Sequence, residues 1–285
     1  MNGKNLKKNN NEPDSDPIWF FRRDFMFLWD AKQYGKYEME RTLPCYDLIQ
    51  SLPKMNYQSI LDIGCGIGNS TLALKKTFPK ANIVGADSSV DMLICARKKN
   101  PDLNFEQINF SHTCEEIQGS YDLLFSNACI HWINHHEILI PNLFQHVKDG
   151  GALAIQIPLQ SRHPFYQKIN AMVESFRWVN KIKVQKQYYT YEENRYYDIL
   201  SKISKDFRIW ETTYYHSLEN HESVIEWYRG SGLRSYLEQL SKEDGRCFEN
   251  ELLQFVKEVY PKQEDGRILF KIPRLFFVVN KSGLK

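Results

Sequence analysis

Ile60-Leu61-Asp62-Ile63-Gly64-Cys65-Gly66-Ile67-Gly68-Asn69-Ser70 decides the fold of this 285-residue chain. An apolar, β-branched run enters a turn with glycine at every second position, and residues 71–76 then take up helical spacing. That order is a strand, a tight loop and a helix N-terminus. Glycines in such a loop let the backbone adopt positive φ and approach a ligand that any Cβ would hold off. The spacing departs from the dinucleotide fingerprint Gly-x-Gly-x-x-Gly, because Asn69 stands where its third glycine belongs.

Outward from the loop, strands and helices alternate. Strands are expected at Ser59–Ile63, Asn82–Ala86, Leu103–Ile108, Tyr121–Ser126 and Ala152–Ile157, the last opened by Gly150-Gly151. Helices are expected at Asn69–Phe78, Val90–Lys99 and His136–Val147. This rhythm predicts a doubly wound, mostly parallel α/β sheet whose ligands sit at the carboxyl ends of the strands. Residues 54–160 are read as that binding core. Upstream, residues 1–17 read as a disordered tail and 18–53 as a helical segment, aromatic-rich from Ile18 to Trp29, with helical spacing from Asp30 broken at Pro44 and ended by Pro53. Downstream, residues 161–285 are expected to continue the same domain. A helix runs from Pro164 to about Trp178, and Phe207–Leu218 is a strand. Glu219–Arg229, Leu233–Leu240 and Phe248–Val259 are helices, and Ile268–Asn280 is either a strand pair or one long strand bent at Pro273. Helices lying between the last two strands would form a lid over the strand ends.

Composition narrows the class. Hydrophobic residues make up 42% and charged residues 25%, with a net charge of +2 and no basic block, which argues against nucleic acid or a membrane surface as partner. No apolar run approaches the ~20 residues of a membrane span. The six scattered cysteines lack any Cys-x-x-Cys, and the polar N-terminus does not read as a signal peptide. Free thiols, a cytoplasmic location and a monomer are the expectation.

Asp87 closes the second strand nineteen positions after Gly68. A carboxylate there can accept both hydroxyls of a ribose, or cap the helix that opens at Ser88-Ser89. Met92, one turn on, can pack against a base or fill the core. His131-Trp132 follow the fourth strand, lining a pocket mouth or packing in a loop. His135-His136-Glu137 lacks metal-ligand spacing and reads as a solvated turn opening a helix. Nucleophile-elbow, phosphate-loop and zinc spacings do not occur.

Asp62-x-Gly64-x-Gly66-x-Gly68 resembles the first motif of the class I S-adenosylmethionine (SAM) methyltransferases. The likeness extends further. Trp29-Asp30-Ala31-x-Gln33-Tyr34, Glu40-Arg41-x-x-Pro44, Gly85-x-Asp87-Ser88-Ser89-x-x-Met92-Leu93, Ser126-Asn127-Ala128-x-x-His131-Trp132 and Gly150-Gly151 resemble the trans-aconitate 2-methyltransferase family. So do Tyr214-Tyr215-His216, Glu226 to Arg234, Tyr260-Pro261, Asp265-Gly266-Arg267 and Pro273-Arg274-Leu275-Phe276. The resemblance implies SAM as methyl donor, leaving S-adenosylhomocysteine. It places Gln33, Arg41, Asp62, Gly64, Cys65, Gly66, Gly68, Asp87, Ser88, Met92, Asn109, Phe110, Asn127 and Trp132 at that cofactor. Asn109 stands where the family usually has Asp, and its side-chain oxygen can still accept from an adenine amine.

The implied acceptor is a small anionic carboxylic acid. Its carboxylate, with a pKa of about 4, is already ionised at neutral pH, so the reaction needs alignment and water exclusion but no general base. Tyr34, His131, Tyr215, His216, Trp227 and Arg234 are the candidates to hold it. Arg234 has a competing reading as a helix-surface salt bridge. After Ile157-Pro158 the chain leaves the family pattern, placing Gln160, Arg162, Pro164 and Phe165-Tyr166 where the family tends to have Asn, an acidic residue, Pro and Ser-His. Arg162 in place of an acid would suit a different anion. A carrier-bound malonyl group is therefore the alternative acceptor, and a SAM-binding protein without catalysis the alternative function.

Overall fold

The computed structural model describes residues 38–183, 188–229 and 232–282, without the side chains of residues 38, 39, 41 and 161. The expected tail, the aromatic segment Ile18–Trp29 and the candidates Gln33 and Tyr34 lie outside the described residues, as does the side chain of Arg41.

Helix α1 (Glu38–Gln50) leads into β1 (Ser59–Ile63), α2 (Asn69–Thr77), β2 (Asn82–Asp87), α3 (Val90–Lys99), β3 (Asn104–Gln107) and β4 (Tyr121–Asn127). Then come α4 (His136–Gln145), β5 (Val147–Pro158), α5 (Pro164–Glu174), α6 (Glu193–Ile203) and β6 (Phe207–Leu218). The chain closes with α7 (His221–Arg229), α8 (Arg234–Leu237), α9 (Lys242–Val259) and β7 (Ile268–Asn280). The sheet order is β3-β2-β1-β4-β5-β7-β6. The first five strands are parallel, and β7 runs antiparallel between β5 and β6.

Period-2 alternation sorts the core onto two faces. Leu61, Ile63, Leu124, Leu153 and Ile155 pack with Leu139 and Leu143 of α4 and Tyr196 and Leu200 of α6. Ile60, Leu123, Phe125, Ala154, Phe276 and Val278 pack with Cys45, Leu48 and Ile49 of α1 and Leu74 of α2. Each such side chain contributes about 1.5–3 kcal/mol by leaving water, which holds a sheet covered on both sides.

Several elements differ from expectation or decide between its alternatives, and α6 has no counterpart in it. Helix α1 passes through Pro44 unbroken. Pro44 and Cys45 are buried against the sheet with Leu48 and Ile49, so packing of that face outweighs the lost N–H. Strand β5 begins at Val147, and Gly150-Gly151 lies inside it, at a register shift between Tyr121 and Leu123 of β4. Helix α9 starts at Lys242, where Ser241 accepts the N–H of Asp244 at 3.1 Å, while the helix expected over 233–240 shrinks to Arg234–Leu237. Finally, Ile268–Asn280 is one strand. Pro273 fits within it because its carbonyl, accepting from Leu159 N, faces the side where β5 has just ended.

That last strand creates the platform above the sheet. β5 pairs with β7 only as far as Pro158↔Arg274, whereas β6 and β7 continue from Thr213↔Pro273 to Leu218↔Ile268. At ~3.4 Å per residue the ribbon extends roughly 20 Å past the end of β5. Phe165, Ile169, Trp178, Trp227, Tyr228, Phe248, Leu252 and Phe270 form a second core on this extension. Helices α5, α7, α8 and α9 thus gather at the carboxyl end of the strands, while α6 covers the sheet itself.

Candidate active site

The loop after β1 is built around one buried carboxylate. Asp62 is wholly buried, and its Oδ2 accepts the hydroxyls of Ser70 and Thr71, both at 2.6 Å. Its Oδ1 is buried with no hydrogen-bond partner. Burial is the main reason its pKa rises from 3.8 to about 6, against the lowering effect of the two hydroxyls. A buried oxygen left without a donor fits an incoming cation such as an ammonium group.

The glycines divide by role. A Cβ on Gly64 (φ +69°) would fall 2.2 Å from Cys129 Sγ, so this glycine makes room for the β4 loop. A Cβ on Gly66 (φ +55°) would meet nothing within 4 Å. Gly66 is therefore the point at which backbone borders open space, and the amide of Gly66 is fixed there by Asp87 Oδ2 at 2.9 Å. Gly68 is the left-handed N-cap of α2, and Cys65 is buried with its thiol pKa pushed up chiefly by burial.

Asp87 Oδ1 accepts the N–H of Ser89 at 2.9 Å, while Ser89 Oγ caps α3 by accepting from Met92 N. The capping expected of Asp87 is shared with Ser89, and its carboxylate retains lone pairs for two ribose hydroxyls. Burial raises the Asp87 pKa, opposed by these backbone hydrogen bonds. Ser88 and Met92 are half-buried on the same turn. At the end of β3, Phe110 is buried, and Asn109 is exposed with its backbone N–H on Glu116 Oε2. Asn127 ends β4 with its Oδ1 buried and without a partner.

His131 and Trp132 occupy a short 3-10 turn after β4. His131 is buried and Trp132 is 43% exposed. Their rings lie 6.0 and 4.8 Å from that of Tyr188, which in turn meets Tyr166 at 4.9 Å. Tyr166 reaches Tyr228 at 5.2 Å, so an aromatic chain joins the β4 turn to the helical platform. On the ribbon, His216 stacks on Trp227 at 5.0 Å. Burial first, and then Arg274, lowers the His216 pKa from 6.5 to about 4, so the ring is neutral.

Two candidates stand apart from this group. Tyr215 alternates to the opposite face of the ribbon, 56% exposed, with Lys271 Nζ 5.7 Å from its ring centre. Arg234 Nε binds Glu238 Oε1 at 2.6 Å one helical turn on, the surface ion pair of its competing reading. Arg162, the residue that suggested a different anion, is held by Glu192, by Glu193 at 2.5 Å and by Glu211 at 3.3 Å. Its charge is met within the chain, and its pKa is raised mainly by Glu193 and Glu192.

Sequence reasoning passed over Ser70, Thr71 and Cys129, which have no distinguishing local pattern. It also passed over Gln156 and Arg274, both buried on the face that carries Asp62 and Asn127. Arg274 lay within a quoted motif, but its position depends on the antiparallel register of β7. Among the described residues no cluster of acids, cysteines and histidines could hold a metal, and no helix is long and apolar enough to cross a membrane.

A family profile described as a methyltransferase domain matches residues 60–151. Among solved structures, phosphoethanolamine N-methyltransferase 2 of Haemonchus contortus, in complex with S-adenosyl-L-methionine, superposes with a TM-score of 0.52 at 16% identity, covering 85% of this chain and 52% of that one. The YcgJ protein of Bacillus subtilis gives 0.54 at 12% identity, covering 84% and 98%. Likeness at such identity concerns the fold. Sequence relatives say more: trans-aconitate 2-methyltransferase of Afipia carboxidovorans is 34% identical over 256 residues, covering 89% of this chain and 99% of the relative. That of Escherichia coli O157:H7 is 34% identical over 254 residues, covering 89% and 98%. With a third of its residues shared across nearly the whole length of these relatives, and with the loop and sheet that the fold requires, the chain belongs to the trans-aconitate 2-methyltransferase family of SAM-dependent methyltransferases.

Proposed function

We propose that this protein esterifies one carboxylate of a small polycarboxylic acid of the trans-aconitate type, using SAM and releasing S-adenosylhomocysteine. The observation that carries the reading is Asp62 Oδ1, buried and without a partner beneath a loop whose Gly66 borders open space. Asp62 and Asn127 would hold the ammonium end of the methionyl group, and Asp87 the ribose, with Met92 and Phe110 beside the adenine. Bound there, SAM supplies an electrophilic sulfonium methyl. His131, Trp132, His216 and Trp227 exclude water and bound the acceptor, and helices α5, α7, α8 and α9 act as its lid. Neutral His216 can donate an N–H to a carboxylate without taking a proton from it. A carboxylate with a pKa of about 4 needs no base, so alignment supplies the rate.

Arg162 is neutralised by its three glutamates, so the residue that departs from the family pattern does not redirect the site to another anion. This favours the aconitate-type acceptor over a carrier-bound malonyl group. Six unbridged cysteines accord with a cytoplasmic enzyme, and we take it to act as a monomer. The test is calorimetric titration with SAM, followed by mass spectrometry of di- and tricarboxylic acids after incubation. SAM binding and one added CH2 on trans-aconitate are expected. Binding without any ester would turn the reading towards a non-catalytic SAM-binding protein, and no binding would end it.

A further inference from the structure

A row of polar side chains crosses the sheet on one face. Asp62 on β1 pairs in register with Phe125, two residues before Asn127 on β4. Asn127 is level with Gln156 on β5, Gln156 is level with Phe276 on β7, and Arg274 stands two residues further up β7. Partners level in register share a face, as do residues two apart, so all four side chains project the same way. The row climbs towards the carboxyl ends of the strands: from Asp62 to Arg274 it crosses roughly 14 Å of sheet at ~4.8 Å per strand and rises by roughly 13 Å at ~3.3 Å per residue.

Chemical character reverses along the row. Asp62 Oδ1 and Asn127 Oδ1 are buried acceptors without partners. Gln156 turns the other way: its Oε1 accepts from Arg274 Nη1 at 3.5 Å, which leaves the donor Nε2 buried and without a partner. Arg274 itself is a permanent positive charge only 9% exposed. The field of that charge reaches His216, whose ring it helps to keep neutral beside Trp227. One end of the row thus suits an ammonium, and the other suits an anion.

We infer that Gln156 Nε2 and Arg274 form the carboxylate-anchoring subsite for the acceptor, gripping a carboxylate other than the one that is methylated. This rests on the aconitate-type reading above and adds the residues that select a di- or tricarboxylate over a monocarboxylate. A planar guanidinium with an amide donor beside it matches the two oxygens of a carboxylate. Bonds of this kind sit in a site screened from water, which gives them more weight than surface pairs.

The test compares wild type with Arg274→Gln, Arg274→Lys and the near-isosteric Gln156→Glu, using full-length protein that is SAH-loaded for the acid titrations, supplied with SAM for the rates and ligand-free for SAM affinity. Calorimetric titration with trans-aconitate and with crotonate, a monocarboxylate sharing its alkene, is paired with initial rates. Loss of a charge-assisted contact should weaken trans-aconitate binding and raise its KM by roughly 10- to 100-fold. SAM affinity should stay within about twofold of wild type, and crotonate should respond much less because it has no second carboxylate to anchor. Gln156→Glu, which adds a negative charge without changing volume, serves if Arg274→Gln fails to fold. An unchanged KM for trans-aconitate, an equal loss for crotonate, or a parallel loss of SAM affinity would each overturn the subsite. If wild type esterifies no acid, the function proposed above fails. The anchor is then still judged by whether trans-aconitate binding is present in wild type and lost in the variants.

Discussion

The amide of Gly66 donates to Asp87 Oδ2 at 2.9 Å, tying the loop after β1 to the end of β2. The contact spans 21 residues of sequence and fixes the loop at Gly66, the one of its three glycines whose missing side chain faces open space. Gly64, two residues earlier, faces Cys129 instead. The two positions should therefore fail in different ways.

Gly64→Ala places a methyl 2.2 Å from Cys129 Sγ, at positive φ, and should destabilise the fold. Backbone strain alone costs about 1–2 kcal/mol and the clash adds to it. Gly66→Ala meets no protein atom, so it should cost only that strain while reducing SAM affinity by at least about tenfold, as the ligand is pushed away. Thermal denaturation with and without SAM separates them. Equal loss of melting temperature in both would show that Gly66 is also a packing glycine.

Arg162→Ala removes the centre of an ion cluster that joins the turn after β5 to α6 and β6. Its partly exposed pairs are each worth about 1 kcal/mol at most. Three glutamates left together add mutual repulsion, so a fall of a few degrees in Tm is expected. The KM for the acceptor should not change. A large rise in KM at constant stability would show that Arg162 reaches the acid after all.

What could be read in the sequence was local. The glycine loop, Asp87 and the alternation of strands with helices show within windows of a dozen residues, because periods of 2 and 3.6 are themselves local properties. The acceptor side was not legible in that way. Arg274 reaches Gln156 across 118 residues, through the register of a strand inserted between its neighbours. Whether Tyr215 or His216 faces inward is a question of parity, which a slip of one residue would reverse. The neutralisation of Arg162 depends on Glu192, Glu193 and Glu211, residues that no motif connects to it. Pro44 misled for the opposite reason, since a strong local rule yielded to packing of α1 on the sheet.

Asp62→Asn should separate binding from stability. Burial raises the Asp62 pKa to about 6, so between about 4 and 6 the native protein holds a proton that the unfolded chain has released. Stability of the ligand-free protein therefore falls as pH rises through that window, and the penalty persists at neutral pH. Asparagine keeps an oxygen for Ser70 and Thr71 and removes the charge. The ligand-free variant should melt higher than wild type at pH 7.5 while SAM affinity drops by roughly 10- to 100-fold. Scanning fluorimetry and calorimetry check both. A lower melting temperature would show that the ionised carboxylate stabilises the empty protein.

Acid should unfold the ligand-free protein, because buried histidines oppose Asp62. His163 Nε2–H donates to the Lys271 carbonyl at 2.8 Å, and its Nδ1 lies 3.0 Å from the Tyr228 hydroxyl. Burial first, and then Arg274, lowers its pKa from 6.5 to about 4. His216 shifts the same way to about 4. Between those values the unfolded chain binds protons that the native rings refuse. Their stabilising effect is complete above about pH 6.5 and is lost as pH falls towards 4. Each ring contributes at most about 1.4 kcal/mol per pH unit within the window, less for the more accessible His216. Asp62 acts in the opposite direction below pH 6, as does Asp87, but His136, whose pKa burial also lowers, adds a third ring to the histidine side. Urea denaturation at pH 7 and pH 5 should show a loss at the lower pH, and His163→Gln should make that loss smaller. Higher stability at pH 5 than at pH 7 would mean that Asp62 dominates and that the histidines accept protons without cost.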